Sequence, residues 1–280
     1  MKRIYLLPNV ITAFSLSCGL FIIFRMSMVP IGEVTPKLLT TMAGIFLLAA
    51  LADLLDGAVA RVMKAESEFG GIFDSLSDAI SFGVAPVVVI LKSAATSTGE
   101  DIPFLTASGA MVFSVCGILR LARYNVLALQ SKKSEVFDET FNKNFTGLPI
   151  PAAATAAVSM NLLLFSDEFR GFWDISHEIR TIILFVMMIL LGYFMISRWK
   201  FPSMKSLHIR VASFQAVFFT VIPTLLVFYG LMYQFAFVFF ALAWIYILIA
   251  GILSLARIVS GRKSKTLEDF EPEPDDLDQE

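Results

Sequence analysis

At 280 residues, 57% hydrophobic and 16% charged, with a formal net charge of −2, the chain is too apolar and too thinly charged for an ordinary soluble domain. Its apolar runs have the length of membrane-crossing helices. They lack strict alternation, which argues against an outer-membrane barrel.

Eight runs are predicted as spans, near 10–30, 38–60, 71–91, 104–128, 148–165, 181–197, 211–230 and 235–255. The fold class expected is all-α, a polytopic membrane protein of about eight transmembrane helices. The opening MKRIYLL resembles a signal peptide, and LSCG around Cys18 resembles a lipoprotein cleavage site. Ser15 stands where such a site wants Leu and the apolar run continues to Val29, so the first span is read as retained. Cys18 and Cys116 lie inside apolar runs and read as packing residues. With the N-terminus in the cytoplasm, seventeen Lys and Arg fall in cytoplasmic segments and four on the other side. This follows the positive-inside rule and puts both termini in the cytoplasm. The tail LEDFEPEPDDLDQE reads as disordered. Without its eight carboxylates the net charge of −2 becomes +6. A basic cytoplasmic face suits anionic headgroups and phosphorylated ligands, although topology alone also accounts for most of these charges.

Between the second and third spans stands DLLDGAVARVMKAESEFGGIFDSLSD, residues 53–78. Aspartate at membrane depth is expensive and marks a functional site. On the second span, Asp53, Asp56, Gly57, Ala60, Arg61 and Lys64 form one helical stripe. Ser67, Gly70, Asp74 and Asp78 do the same on the third. If the two spans form an antiparallel hairpin about residues 65–66, Asp56 lies level with Asp74, and Asp53 with Asp78. These two levels are about 4.5–6 Å apart along the axes. Four carboxylates so arranged repel one another, and cations are the remedy. All-oxygen ligation favours Mg²⁺ or Mn²⁺, with room for two ions in the arrangement used for phosphoryl displacement. Gly57, Ala60 and Gly70 leave the facing surfaces bare for a polar ligand. Arg61 is able to fork onto a phosphate.

The pattern DxxDGxxARx₈GxxxDxxxD is complete here, and it resembles the signature of the CDP-alcohol phosphatidyltransferases. PNVIT, FDSLSDAISFGVAP, ILRLARYN and FTGLPIPAAA resemble one branch of that family, the membrane-integral phosphatidylserine synthases, over roughly residues 5–160. The resemblance implies CDP-diacylglycerol and L-serine as substrates, CMP as leaving group and a homodimer, with membrane lipids as surroundings and no nucleic acid. It implies Asp53, Asp56, Asp74 and Asp78 as metal ligands, with Asp78 also the general base. Gly57, Ala60, Arg61, Ser67, Gly70, Asn9 and Thr12 are candidates for holding CDP-diacylglycerol. Arg120, Arg123 and Asn125 are candidates for the acceptor, with interfacial anchoring an equal reading of the two arginines. The Gly147–Pro151 segment has two prolines at a span entrance, where irregular backbone is able to line a polar pocket.

The chain is thereby divided into a catalytic transmembrane core (1–165), additional transmembrane helices (166–260) and a disordered acidic cytoplasmic tail (261–280). The expected location is the cell's inner membrane, with the site near its cytoplasmic face. Neither His177 nor His208 carries the HxKxxxxD pattern of a covalent route, so direct displacement fits better. Two alternatives stay open: the same chemistry with glycerol 3-phosphate or inositol, and a cation or proton transporter. Against the transporter, residues 141–280 hold no second copy of the Asp pattern, whereas transporters often carry inverted repeats.

Overall fold

The computed structural model describes residues 6–63, 67–95, 104–131, 145–173, 175–197, 200–201, 230 and 232–259. They form α1 (Leu6–Ser27), α2 (Pro36–Val62), α3 (Glu68–Asp78), a π-helical turn (Ala79–Val84) and α4 (Ala85–Ala94). Then follow α5 (Phe104–Ser131), β1 (Phe145–Thr146), α6 (Ile150–Phe165), α7 (Asp167–Phe172), α8 (His177–Ile196), β2 (Lys200–Phe201) and α9 (Phe235–Val259). The described chain is helical apart from one antiparallel ribbon pairing Phe145 with Phe201 and Thr146 with Lys200.

Six helices are long and apolar enough to cross a membrane: Leu6–Ser27, Pro36–Val62, Glu68–Ala94, Phe104–Val126, His177–Ile196 and Phe235–Ile252. The fifth expected span corresponds to α6, which has only 16 residues. Pro149 and Pro151 set its start, since proline suits a first turn and resists helix before it. Twelve of those residues are buried, and a helix apolar on all sides belongs inside a bundle. The seventh expected span, 211–230, lies outside the described residues except for Gly230, as do Lys64, His208 and the acidic tail.

The third span changes pitch midway. Pro86 has no N–H to donate, and its ring crowds the carbonyl four residues back. The helix widens just before it: the Ala85 N–H bonds to the Ile80 carbonyl, five residues back. The Gly83 carbonyl accepts from Ser114 Oγ of α5 at 2.8 Å. A neighbouring hydroxyl thus satisfies backbone loosened at membrane depth.

Close helix packing rests on small residues. Gly192 of α8 sits against Cys116 of α5, and a Cβ on Gly109 would meet the Phe185 ring at 3.0 Å. Both cysteines are free. Phe46 and Phe82 meet edge to face at 5.6 Å, which ties α2 to the widened turn. His177 Nε2 lies 2.9 Å from the Ala94 carbonyl oxygen, joining the start of α8 to the end of α4. This is a structural role.

Candidate active site

The four aspartates arrive from two helices, and α2 and α3 are not joined by extensive backbone contact. Instead α1 lies against α2, α3, the widened turn and α4. A seam of small and polar residues makes this possible. Thr12 Oγ1 donates to Asp56 Oδ2 at 2.6 Å, and Ser15 Oγ to the Ala49 carbonyl at 3.0 Å. From the other side, Ser77 Oγ donates to the Thr12 carbonyl at 3.4 Å and Ser81 Oγ to the Ser15 carbonyl at 3.3 Å. Gly19 completes the seam, because a Cβ there would stand 2.8 Å from Ser81 Cα. Repulsion among carboxylates discourages tight contact between their own helices, whereas hydroxyls and a glycine invite it.

Across this wedge the acidic side chains converge. Ligand oxygens of Asp53, Asp56 and Asp74 all lie within 4.8 Å of one another. Asp53, Asp74 and Asp56 are all electrostatic neighbours of Asp78. Asp56 is only 5% exposed and is oriented by Thr12. Asp74 Oδ1 and Asp78 Oδ1 are buried without a hydrogen-bond partner among the described residues.

A buried carboxylate oxygen is seldom left unpaired in a stable protein, since desolvation is then uncompensated. Here two are left so, at the edge of a cluster built only of oxygen donors. That donor set suits a hard divalent cation. The residues present therefore fit the metal the spacing suggests.

Towards the turn, Ser67 caps α3, accepting from the Gly70 N–H at 3.0 Å. A Cβ on Gly70 would meet Ser67 Oγ at 3.0 Å and Asn9 Oδ1 at 3.2 Å, so these three expected site residues share one spot. Arg61 is exposed, and its guanidinium would lie 3.5 Å from a Cβ on Gly57. Ala60 is half-buried beside them on the same helix. Thr12, a candidate for holding CDP-diacylglycerol, donates to Asp56 and so also orients the acidic cluster.

The acceptor candidates separate. Asn125 Oδ1 accepts from Ser75 Oγ at 3.0 Å, linking α5 to α3. Arg123 is exposed. Arg120 is half-buried, and its Nε has no hydrogen-bond partner among the described residues. Its electrostatic neighbours are Asp78, Tyr124 and Tyr246. The Gly147–Pro151 segment packs rather than lining a polar pocket. A Cβ on Gly147 (φ +84°) would run into the Met195 carbonyl, the Leu148 N–H bonds to the Phe194 carbonyl at 3.0 Å, and Leu148 is fully buried.

Sequence reasoning missed the seam serines Ser15, Ser77 and Ser81. A signal was visible, because Thr12, Ser15 and Gly19 lie at i, i+3 and i+7 on one face of α1.

Comparison with known proteins gives the arrangement its relatives. The sequence profile of the CDP-alcohol phosphatidyltransferase family matches residues 5–194. The CDP-diacylglycerol–serine O-phosphatidyltransferase of Helicobacter pylori (strain 26695) is 33% identical over 206 residues, covering 73% of this chain and 75% of that protein. The enzyme of the same name from Mycobacterium leprae is 36% identical over 173 residues, 61% of this chain and 51% of that protein. The archaetidylserine synthase of Methanothermobacter thermautotrophicus is 41% identical over 129 residues, 45% of this chain and 48% of that protein. The chain thus spans about half the length of two of these relatives and three quarters of the third.

Proposed function

Because the chain belongs to the CDP-alcohol phosphatidyltransferase family, we propose that it moves a phosphatidyl group from CDP-diacylglycerol to the hydroxyl of L-serine, releasing phosphatidylserine and CMP. The observation that carries the phosphatidyl-transfer part is the convergence of Asp53, Asp56 and Asp74 within 4.8 Å, beside unpaired oxygens of Asp74 and Asp78. The serine part is supported by the names of the relatives and by the motifs after Asp78.

Asp53, Asp56, Asp74 and Asp78 are the residues that would hold Mg²⁺ or Mn²⁺, as one ion or two. Held there, such an ion would supply charge neutralisation for the pyrophosphate and the departing CMP. Gly57, Ala60 and Gly70 keep the approach to the acidic cluster shallow, so the pyrophosphate is able to come close to backbone. Arg61 forks onto a phosphate oxygen, and Asn9 and Ser67 border the nucleotide side at Gly70. Asp78 accepts the proton of the serine hydroxyl. The hydroxyl oxygen then attacks the phosphorus bearing diacylglycerol, and the bond from that phosphorus to the CMP oxygen breaks. Arg120 binds the acceptor's carboxylate, and Asn125 braces α5 against α3.

The reading further places the protein in the inner membrane as a homodimer of eight-span subunits with cytoplasmic termini. The start of α1, at Asn9, meets the start of α3 at Gly70. Phe237, near the start of α9, packs on Phe169 of α7, which follows the far end of α6. α1 therefore begins, and α9 ends, at the level of the start of α3.

The test is CMP release from CDP-diacylglycerol by purified protein, with L-serine, glycerol 3-phosphate, inositol or no acceptor, in Mg²⁺ or Mn²⁺ and again in chelator. Serine-dependent, chelator-sensitive release is expected. Release driven by another acceptor would keep the chemistry and overturn the serine assignment. No release from folded, metal-binding protein would defeat the enzyme reading.

A further inference from the structure

The end of the bundle opposite the acidic cluster carries a second concave site. α7 follows the far end of α6, and Phe169 of α7 meets Phe237 of α9 with ring centroids 6.5 Å apart. Beside this pair lies an open cavity of about 460 Å³, lined by Glu168, Phe169, Phe172, Trp173, Gln234 and Phe237. Small-molecule sites commonly have volumes of about 300–1,000 Å³. Gln234 and Phe237 fall beyond residue 194, where the family match ends.

The lining is a particular mixture. Four aromatic rings offer faces of negative potential, Glu168 adds a carboxylate, and Gln234 adds a neutral amide. The nearby arginines are engaged elsewhere. The Arg170 and Arg180 guanidiniums lie 5.1 and 4.5 Å from the centroid of the Phe165 ring, which is buried. Ring faces and a carboxylate both attract a cation, and neither attracts an anion. A hydrocarbon chain would suit the rings but leave the carboxylate against apolar matter, which is costly. An organic ammonium satisfies both, with its charge paired to Glu168 and its carbon groups on the ring faces.

The position indicates where such an ammonium comes from. α7 joins α6 to α8, and α8 is long and apolar enough to cross a membrane. Phe172 and Trp173 are 81% and 67% exposed, and exposed rings at the end of a span belong at headgroup level. A phospholipid keeps its head at that level and its tails in the hydrocarbon beside it.

We propose that the cavity between α7 and α9 binds the ammonium headgroup of a phospholipid in the leaflet remote from the acidic cluster, with Glu168 as counter-ion and the four rings as a cage. This goes beyond the phosphatidyl-transfer reading and does not depend on it. A glycerol head has no positive charge to offer the cage, and a serine head brings a second carboxylate against Glu168.

The experiment is binding of short-chain dihexanoyl phospholipids to the full-length protein in neutral detergent, read from the rise in melting temperature with lipid concentration. The heads are choline, ethanolamine and glycerol, and tetramethylammonium chloride stands for a soluble ion. The choline and ethanolamine lipids are expected to bind at least about fivefold more tightly than the glycerol lipid or tetramethylammonium. Glu168→Gln should remove most of that preference and leave the glycerol lipid unchanged. Phe237→Leu keeps an apolar wall without a ring face, and should lower the preference by about two- to fivefold. Equal binding of all three lipids would make this a groove for chains and overturn the inference. So would tetramethylammonium binding as tightly as the lipids, a preference untouched by Glu168→Gln, or no lipid binding. Should Glu168→Gln melt early without lipid, Phe237→Leu decides: a lowered preference supports the cage, and an unchanged one defeats it. Absence of CMP release would defeat the phosphatidyl-transfer reading and leave the headgroup ranking as it stands.

Discussion

Thr12 and Asp78 make a useful contrast, because both touch the acidic cluster and only one is assigned chemistry. Thr12 donates to Asp56 at 2.6 Å and fixes which carboxylate oxygen faces the cluster. Thr12→Val keeps the shape and removes the donor. Outer groups that orient metal ligands are worth about 10- to 100-fold in metal affinity, so Mn²⁺ titration of Thr12→Val should show weakening near the lower end. At saturating metal most of the turnover should return. Asp78→Asn should behave in the opposite way, with retained folding and a loss of CMP release of about 10²- to 10⁴-fold that excess metal does not restore. Full rescue of Asp78→Asn by Mn²⁺ would leave it a ligand and remove it as the base.

At the scale of elements, the widened turn and the α1 seam set where the carboxylates point. Two glycines test this. A Cβ on Gly19 would press on Ser81 Cα, whereas one on Gly117 would meet side chains alone, the Cδ1 tip of Ile150 first, then its Cγ1 and Met195 Sδ. Backbone cannot step aside and a methyl tip can. Gly19→Ala should therefore destabilise the protein by about 1–3 kcal/mol, and Gly117→Ala by less, with part of each loss offset by alanine's higher helix propensity. Melting in detergent ranks the two, and equal losses would sink the idea that α1 is seated by close approach at Gly19. Much of this level was legible in the sequence. Apolar length marked the spans, and the helical period put Asp53 with Asp56 and Asp74 with Asp78 on single faces. The wedge was not legible, because Thr12 and Ser15 look like ordinary small polar residues until their partners on other helices are known. Nor was the packing of Gly147–Pro151, which depends on the end of α8.

For the whole molecule, the bundle has two distinct ends. One carries the Ser67 cap and Asn9, and the other carries His177, Ala94 and α7. If the site faces the cytoplasm, Glu68→Cys in a background lacking Cys18 and Cys116 should react with a membrane-impermeant maleimide only after cells are opened. Asp167→Cys, on exposed α7, should react with intact spheroplasts. The reverse pattern would invert the orientation drawn from loop charge. What sequence reading lacked at this scale was long-range placement. Thr12 and Asp56 are 44 residues apart, and only the packing of α1 on α2 brings them together.

The π-helical turn at Ala79–Val84 also constrains how this lineage tolerates insertions and deletions. A widened turn holds one residue more than a regular turn at nearly the same rotation, so it absorbs that residue without turning the helix on either side. A one-residue deletion in the regular helix between Asp74 and Asp78 has no such buffer and turns the two carboxylates by about 100° relative to each other. A frame-preserving loss of three bases there would part the acidic pair, whereas the same loss inside the turn would keep it on one face.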